Sequence, residues 1–259
     1  MRYRLPHGMR YASLVERRRF YRKEFDLREV SAWFDLRPVL GRIAFAVIIG
    51  RHTRIYPKMY EDDRSTTIII SRYRALEDVK DQILEFAPES VYYDRNIYTA
   101  DGAAKEQELA FDVDPENLTC PIHGTFADRA RRRQGLAFCE VELEMVKEET
   151  VKAHEMLQEH FADLRIVYSG RGFHIHVFDR EAFTWTAQKR RFFARELNKK
   201  IPIDEWVTSG AMRLIRLPYS LHAMVSRVVI PLNVAELRRF DPVKDLRCLP
   251  QYLRRRRAI

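Results

Sequence analysis

The stretch Glu108-Leu-Ala-Phe-Asp-Val-Asp114 ends an apolar run with two carboxylates one residue apart. Alternate side chains of a β-strand share a face, so Asp112 and Asp114 are expected to project together. Two like charges held that close repel, and a divalent cation is the usual compensation. A third carboxylate would complete the shared oxygen ligands that two-metal phosphoryl or nucleotidyl transfer requires. Asp204, in Pro202-Ile-Asp-Glu-Trp206, is the best candidate.

A second cluster, Tyr168-Ser-Gly-Arg-Gly-Phe-His-Ile-His-Val177, reads as strand, glycine turn and strand. Successive amides in such a turn can cradle phosphate oxygens, Ser169 adds a hydroxyl, and Arg171 can grip phosphate bidentately. His174 and His176 alternate with Phe173, Ile175 and Val177, so the two imidazoles share one face. Next to the turn and the Asp pair, one or both are expected to line a triphosphate pocket. A third cluster runs from Arg213 to His222 as Arg-Leu-Ile-Arg-Leu-Pro-Tyr-Ser-Leu-His. Arg213 and Arg216, three apart on a strand, point to opposite faces, so at most one meets the site.

The elements that must position these residues follow from periodicity. Thr66–Ile70, Ser90–Asp94 and Glu108–Asp114 read as strands, and Ile43–Ile49 is of strand length. Arg74 to Ala87 carries a helical stripe stopped by Pro88. Residues 141–163 make the clearest helix, Leu164–Ser169 and Phe173–Phe178 a hairpin, and Arg180 to Lys200 a second long helix. Met212–Arg216 and Arg227–Pro231 are expected to close the core as strands. Residues 10–35 read as a basic helical segment, with Arg17, Arg18, Arg19, Arg22 and Lys23 set among apolar residues. The fold class expected is α/β, a mixed sheet with helices packed on it. The expected organisation is an N-terminal basic helical extension over 1–60, a catalytic domain over 61–240 and a frayed basic tail over 241–259.

Bulk properties bound the function. The 259 residues suffice for a real core, and a formal charge of +9 favours acidic partners, nucleic acid above all. No run of about 18 apolar residues exists, which argues against a membrane span. Three cysteines make no disulfide framework, so a reducing cytoplasmic location is the default, or a nuclear one in a eukaryote.

Taken in order, the three clusters resemble the small catalytic subunit of archaeal and eukaryotic DNA primases. The likeness rests on Phe111-Asp-Val-Asp114, on Ser169-Gly-Arg-Gly-Phe-His174, and on Ile203-Asp204 followed by Arg213 to His222. Pro88 to Tyr98 is similar to the segment preceding the first motif, and the likeness spans residues 66–233. Two features depart from the family: the Ser-Gly turn is one residue shorter than the common form, and the chain is shorter than typical members.

The resemblance implies a mixed-sheet primase-polymerase domain. It implies that Asp112, Asp114 and Asp204 hold two Mg²⁺ or Mn²⁺ ions. Ser169, Arg171 and His174 would bind the incoming triphosphate, with Arg216 and His222 adjoining. A zinc site also belongs to the family between the first two motifs; here Cys120, His123, Cys139 and Glu142 occupy that place, within 118–142. Cys-x-x-His is good zinc spacing, and glutamate is a less usual fourth ligand. The implied activity is primer synthesis from nucleoside triphosphates on a single-stranded DNA template. Implied partners are the template, a primer–template duplex and a primase large subunit. Alternatives are a stand-alone primase-polymerase, an end-joining repair polymerase of related fold, or a non-catalytic nucleic-acid-binding module.

Overall fold

The structure, a computed structural model, describes residues 4–39, 41–49, 65–209 and 214–254. Its strands are β1 (Phe45–Ile48), β2 (Thr67–Ile70), β3 (Ser90–Asp94), β4 (Asn96–Tyr98), β5 (Ala104–Gln107), β6 (Leu109–Val113), β7 (Leu164–Tyr168), β8 (Phe173–Val177), β9 (Leu214–Arg216), β10 (Leu221–His222), β11 (Arg227–Val228) and β12 (Ile230–Leu232). Its helices are α1 (Leu14–Lys23), α2 (Leu27–Asp35), α3 (Leu76–Phe86), α4 (Phe126–Arg131), α5 (Glu140–Leu157), α6 (Ala187–Asn198), α7 (Glu205–Ser209), α8 (Val234–Arg239) and α9 (Gln251–Arg254).

Two four-stranded sheets carry the chain, one in the order β2-β1-β3-β9 and the other β12-β7-β8-β6. The α/β class is as expected, and the pairings among the described strands are antiparallel. In the second sheet strict alternation sorts the side chains. Phe111, Val113, Phe173, Ile175 and Val177 enter one core with residues of α5, α6 and α8. Asp112, His174 and His176 therefore occupy the opposite face, towards the first sheet. Ala110 on that face joins the core built from β1, β3, β9 and α3. Such alternation fixes register, because a one-residue slip would drive Asp112 and the histidines into the apolar core under α5 and α6.

Several boundaries differ from expectation for identifiable reasons. The basic segment over 10–35 is two helices, each with its own N-cap, Ser13 and Asp26. Phe20, Tyr21, Phe25 and Val30 from these helices share the core of the first sheet, so the described part of 1–60 packs against the residues that follow it. Arg17 is buried, with Glu89 3.8 Å away, whereas Arg18, Arg22 and Lys23 remain exposed. Helix α5 stops at Leu157, and Arg180–Thr184 forms a separate 3₁₀ turn before α6. The strand expected over 227–231 divides at Val229, where the chain leaves β11, paired with β10, for β12 in the second four-stranded sheet. The tail is packed as far as Arg254, because Cys248, Leu249 and Tyr252 are buried. Arg213 and residues 255–257 lie outside the described residues.

Candidate active site

Strand β6 is the edge of the second sheet, and its outer carbonyls would be orphans without a partner. They are met by side chains and by one backbone amide. Arg95 and Arg190 donate to the Glu108 carbonyl at 2.9 and 3.1 Å, and the Thr208 hydroxyl donates to Ala110 O at 2.9 Å. The Asp204 amide donates to Asp112 O at 2.9 Å. This docking brings the third acidic residue to the first, across 92 positions of sequence. Asp204 Oδ1 in turn accepts from the Trp206 amide at 2.8 Å, which shapes the start of α7.

Asp112 sits opposite His174 in the β6–β8 register, with His174 Nε2 3.5 Å from Asp112 Oδ1. Asp114 follows β6 and precedes the 3₁₀ turn Pro115–Asn117. Buried oxygens of both, Asp112 Oδ1 and Asp114 Oδ1, have no hydrogen-bond partner among the described residues. Burial, reinforced by Asp114, Asp204 and Glu116, holds the Asp112 carboxyl well above the usual carboxylate range. Burial also pushes Asp114 up to about 6; Arg171 and Arg216 oppose the rise, and Glu116 and Asp204 add to it. Partnerless anionic oxygens under mutual repulsion are a donor set suited to hard divalent cations.

The glycine turn closes on this pair. Tyr168 and Phe173 are the last partners of the β7–β8 ladder, leaving Ser169 to Gly172 as a four-residue connection. Ser169 N donates to Gly172 O at 2.9 Å, and the Gly172 amide donates to Ser169 Oγ at 3.2 Å. Gly172 lies so close to β6 that a Cβ there would stand 2.2 Å from Val113 O and 2.3 Å from Asp114 Oδ1. Gly170, at φ +109, would carry a Cβ 2.6 Å from the His222 side chain. Only glycine fits either place.

Arg171 Nη1 is held by Glu116 Oε1 at 2.8 Å, while its buried Nε and Nη2 have no partner among the described residues. Its pKa is raised: burial works to lower it, and Asp114 and Glu116 outweigh that cost. Arg216, paired across β3 and β9 with Tyr92, bonds the Tyr92 hydroxyl at 2.8 Å and keeps a buried Nη1 without a partner among the described residues. Its charge acts on Asp112, Asp114, His174 and His222, which places it at the site. Burial, aided by neighbouring cations, holds both His174 and His222 well below the ordinary histidine value, so each is neutral at pH 7. His222, on β10, is thus brought to the turn through Gly170.

Of the two imidazoles, His174 meets the carboxylate pair and His176 does not. It shares the face of His174 but points between the sheets, where its Nδ1 meets Glu108 Oε1 at 2.7 Å beside the Tyr93 hydroxyl. It belongs to a buried polar cluster rather than to the pocket. Sequence reasoning missed Glu116 and Tyr92. The spacing Asp112, Asp114, Glu116 was a signal for the first; the second is visible only from strand pairing.

The second metal-type cluster is also brought together. One ligand atom from each of Cys120, His123, Cys139 and Glu142 lies within 4.8 Å of the others. Cys120 Sγ is 3.5 Å from His123 Nδ1 and 3.9 Å from Cys139 Sγ, and His123 Nδ1 is 3.7 Å from Glu142 Oε2. Tetrahedral zinc with sulfur, nitrogen and oxygen ligands needs separations of about 3.3–3.8 Å, so this donor set fits the ion. The Cys120–Gly124 bridge makes the knuckle, with Gly124 at φ +76. Arg129 fixes the other oxygen of Glu142 at 2.5 Å and reaches Pro115 O at 3.0 Å, next to Asp114. Burial raises the Cys139 thiol to about 11.

Comparison with known proteins decides the family. The chain is 47% identical over 258 residues, 93% of its length and 91% of the relative's, to a protein of Archaeoglobus fulgidus described as an uncharacterized DNA primase small subunit-like protein. This chain belongs to the DNA primase small-subunit family. It is a family of nucleotidyltransferases, as the motifs implied. The DNA primase small subunit PriS of Pyrobaculum calidifontis is 27% identical over 216 residues, 64% of this chain and 66% of that one. That of Methanothermobacter thermautotrophicus is 26% identical over 82% of this chain and 61% of its own length. The primase-family chain thus spans about two thirds of these PriS relatives. No protein-family model matches it. Among solved structures, the polymerase domain of Mycobacterium tuberculosis ligase D in complex with DNA matches 95% of this chain and 88% of its own, with TM-score 0.56 and 15% identity, a likeness of fold. Among the described residues no helix is long and apolar enough to cross a membrane.

Proposed function

We propose that the chain is a primase catalytic subunit, joining nucleoside triphosphates into short primers on single-stranded DNA. The observation that carries this reading is the docking of Asp204 on Asp112 beside a glycine turn that presents Arg171 to Asp114. Asp112, Asp114 and Asp204 would hold two Mg²⁺ or Mn²⁺ ions. Bound there, such ions supply Lewis-acid activation of a 3′-hydroxyl and offset the charge of departing pyrophosphate. The chain's own residues do the rest. The Ser169–Gly172 turn and the free donors of Arg171 and Arg216 bind and orient the triphosphate. His174 and His222, neutral and buried, can donate to phosphate oxygens without adding a cation that Arg216 would repel.

Cys120, His123, Cys139 and Glu142 would hold a structural Zn²⁺, tying the chain after β6 to the start of α5 and, through Arg129, to the carbonyl next to Asp114. A primase large subunit is the expected protein partner, in keeping with the small-subunit family. The test is synthesis from labelled nucleotides on single-stranded DNA with Mg²⁺ or Mn²⁺. Wild type should yield product that Asp112→Ala and Asp204→Ala abolish. A product insensitive to Asp112→Ala would remove the proposal.

A further inference from the structure

Trp206 is 74% exposed, although burying an indole is worth several kcal/mol. It is not on a loose loop. Its own amide is bonded to Asp204 Oδ1, and two residues later Thr208 is bonded to the edge of β6. The ring thus projects from a segment fixed to the carboxylate site. Around it, Arg191, Arg195, Glu205 and Ser209 complete the lining of an open cavity of about 360 Å³.

The charges there are unlike their neighbours. Lys199, the C-cap of α6, is paired with Glu196 at 2.6 Å, and Lys189 on the helix with Glu181 at 3.5 Å. Glu205 accepts from Asn198 at 2.6 Å. Arg191 and Arg195, one helical turn apart and exposed, make no hydrogen bond or ion pair among the described residues. An exposed aromatic with two unneutralised guanidiniums suits the alternating bases and phosphates of an unpaired strand, which offers π-faces that a duplex hides.

We propose that Trp206, Arg191 and Arg195 form a stacking platform for a single-stranded polynucleotide at the mouth of the carboxylate site. The inference rests on the primase reading for its setting, but its test needs neither metal nor synthesis. The affinity of the full chain for a labelled oligodeoxythymidylate and for a matched duplex is measured by fluorescence anisotropy. Trp206→Ala should weaken single-strand binding about 5- to 150-fold, the range set by one lost stacking contact. Trp206→Phe should restore most of it, and duplex binding should change little. Arg191→Ala with Arg195→Ala should flatten the dependence of log affinity on log salt by about 1.4, two single-strand phosphates. Because these side chains are exposed, the melting temperature should match wild type. Undetectable single-strand binding by wild type, or single-strand affinity of Trp206→Ala within about twofold of it, overturns the proposal and leaves the indole to a protein partner. An equal loss on duplex overturns it too. A protein that binds as stated yet makes no primer keeps the platform and sinks the primase reading instead.

Discussion

The amide of Asp204 donates to the carbonyl oxygen of Asp112 across 2.9 Å, so one carboxylate of the site is carried on the backbone of another. Thr208 repeats the device one step along β6 by bonding Ala110 O at 2.9 Å. The third acid therefore depends on a short segment remaining on a strand edge. Replacing Thr208 by Val should cost about 1–2 kcal/mol of stability by leaving a buried carbonyl unpaired. It should also lower nucleotidyl transfer more than nucleotide binding, since it loosens Asp204 and leaves the turn intact. Urea denaturation and steady-state kinetics separate the two effects. Asp204→Ala should remove about a thousand-fold or more of activity.

The acidic pair makes the protein less stable where it is charged. Asp114 moves from 3.8 to about 6 on folding, and Asp112 is also raised, through burial first and then its like-charged neighbours. The folded state then holds protons that the unfolded chain releases. Stability from this source is full below pH 4 and is lost as pH rises through 6. At pH 8 in EDTA, Asp112→Asn should raise stability by about 1–3 kcal/mol while abolishing synthesis. Mn²⁺ should raise the melting temperature of wild type and leave that of the variant nearly unchanged. A wild type indifferent to Mn²⁺ contradicts the assignment.

Much of this site was legible because its parts are local. Asp112 and Asp114 share a face by strand periodicity, and Ser169 to Gly172 carries the residues of a turn. Asp204 was a candidate by residue type alone and Arg216 was chosen through resemblance, since no local rule says which distant segment covers an edge strand. Arginines misled for a related reason. Composition treats them as surface groups, yet Arg17, Arg129, Arg190 and Arg227 are buried. Arg190 and Arg227 sit there because backbone carbonyls, such as Glu108 O and Pro242 O, need donors. That demand is created by tertiary structure and leaves no period in the sequence. His176 shows the limit of face assignment: it shares the face of His174, but two residues along β8 suffice to carry it from the pocket to the buried Glu108.

The glycines of the turn offer a steric test. Gly172→Ala must drive its methyl into Val113 O and Asp114, both less than 2.5 Å from where it would stand. A displacement of Asp114 by even an ångström should lower kcat about a hundredfold. Gly170→Ala instead meets His222 and a positive φ, so it should cost about 1–3 kcal/mol of stability as well as raise KM for nucleotide. The split between the two variants, kcat for one and KM for the other, is read by initial rates at varied nucleotide.

The knuckle makes a metal-removal prediction. Zinc ligands must be deprotonated, and burial holds the Cys139 thiol near 11 without a cation. Zinc uptake should therefore release protons and weaken as pH falls. The purified chain should carry about one equivalent of zinc by metal analysis, absent in Cys120→Ser. Chelation should lower the melting temperature and reduce activity, because Arg129 joins Glu142 to Pro115 O beside Asp114.

Glu108 gives the last prediction, since it is fully buried and its carboxylate is shared by β3, β8 and the turn after α2. Tyr93 donates to Oε1 at 2.8 Å, His176 Nδ1 is 2.7 Å from the same oxygen, and Arg37 Nε is 3.4 Å from Oε2. Burial alone would raise its pKa, yet His176, Arg37 and Tyr93 together hold it below the usual carboxylate range. Its stabilising contribution is thus present at neutral pH and is lost on acidification through the native pKa. Glu108→Gln leaves Arg37 as a buried charge without a counterion, which should cost about 3–5 kcal/mol. Arg37→Met in the same chain removes that charge and should recover much of the loss, so the two changes together should cost less than their sum. Urea denaturation of the four members of this cycle at pH 7 measures the coupling, and additive losses would show that the Arg37–Glu108 contact carries no net attraction.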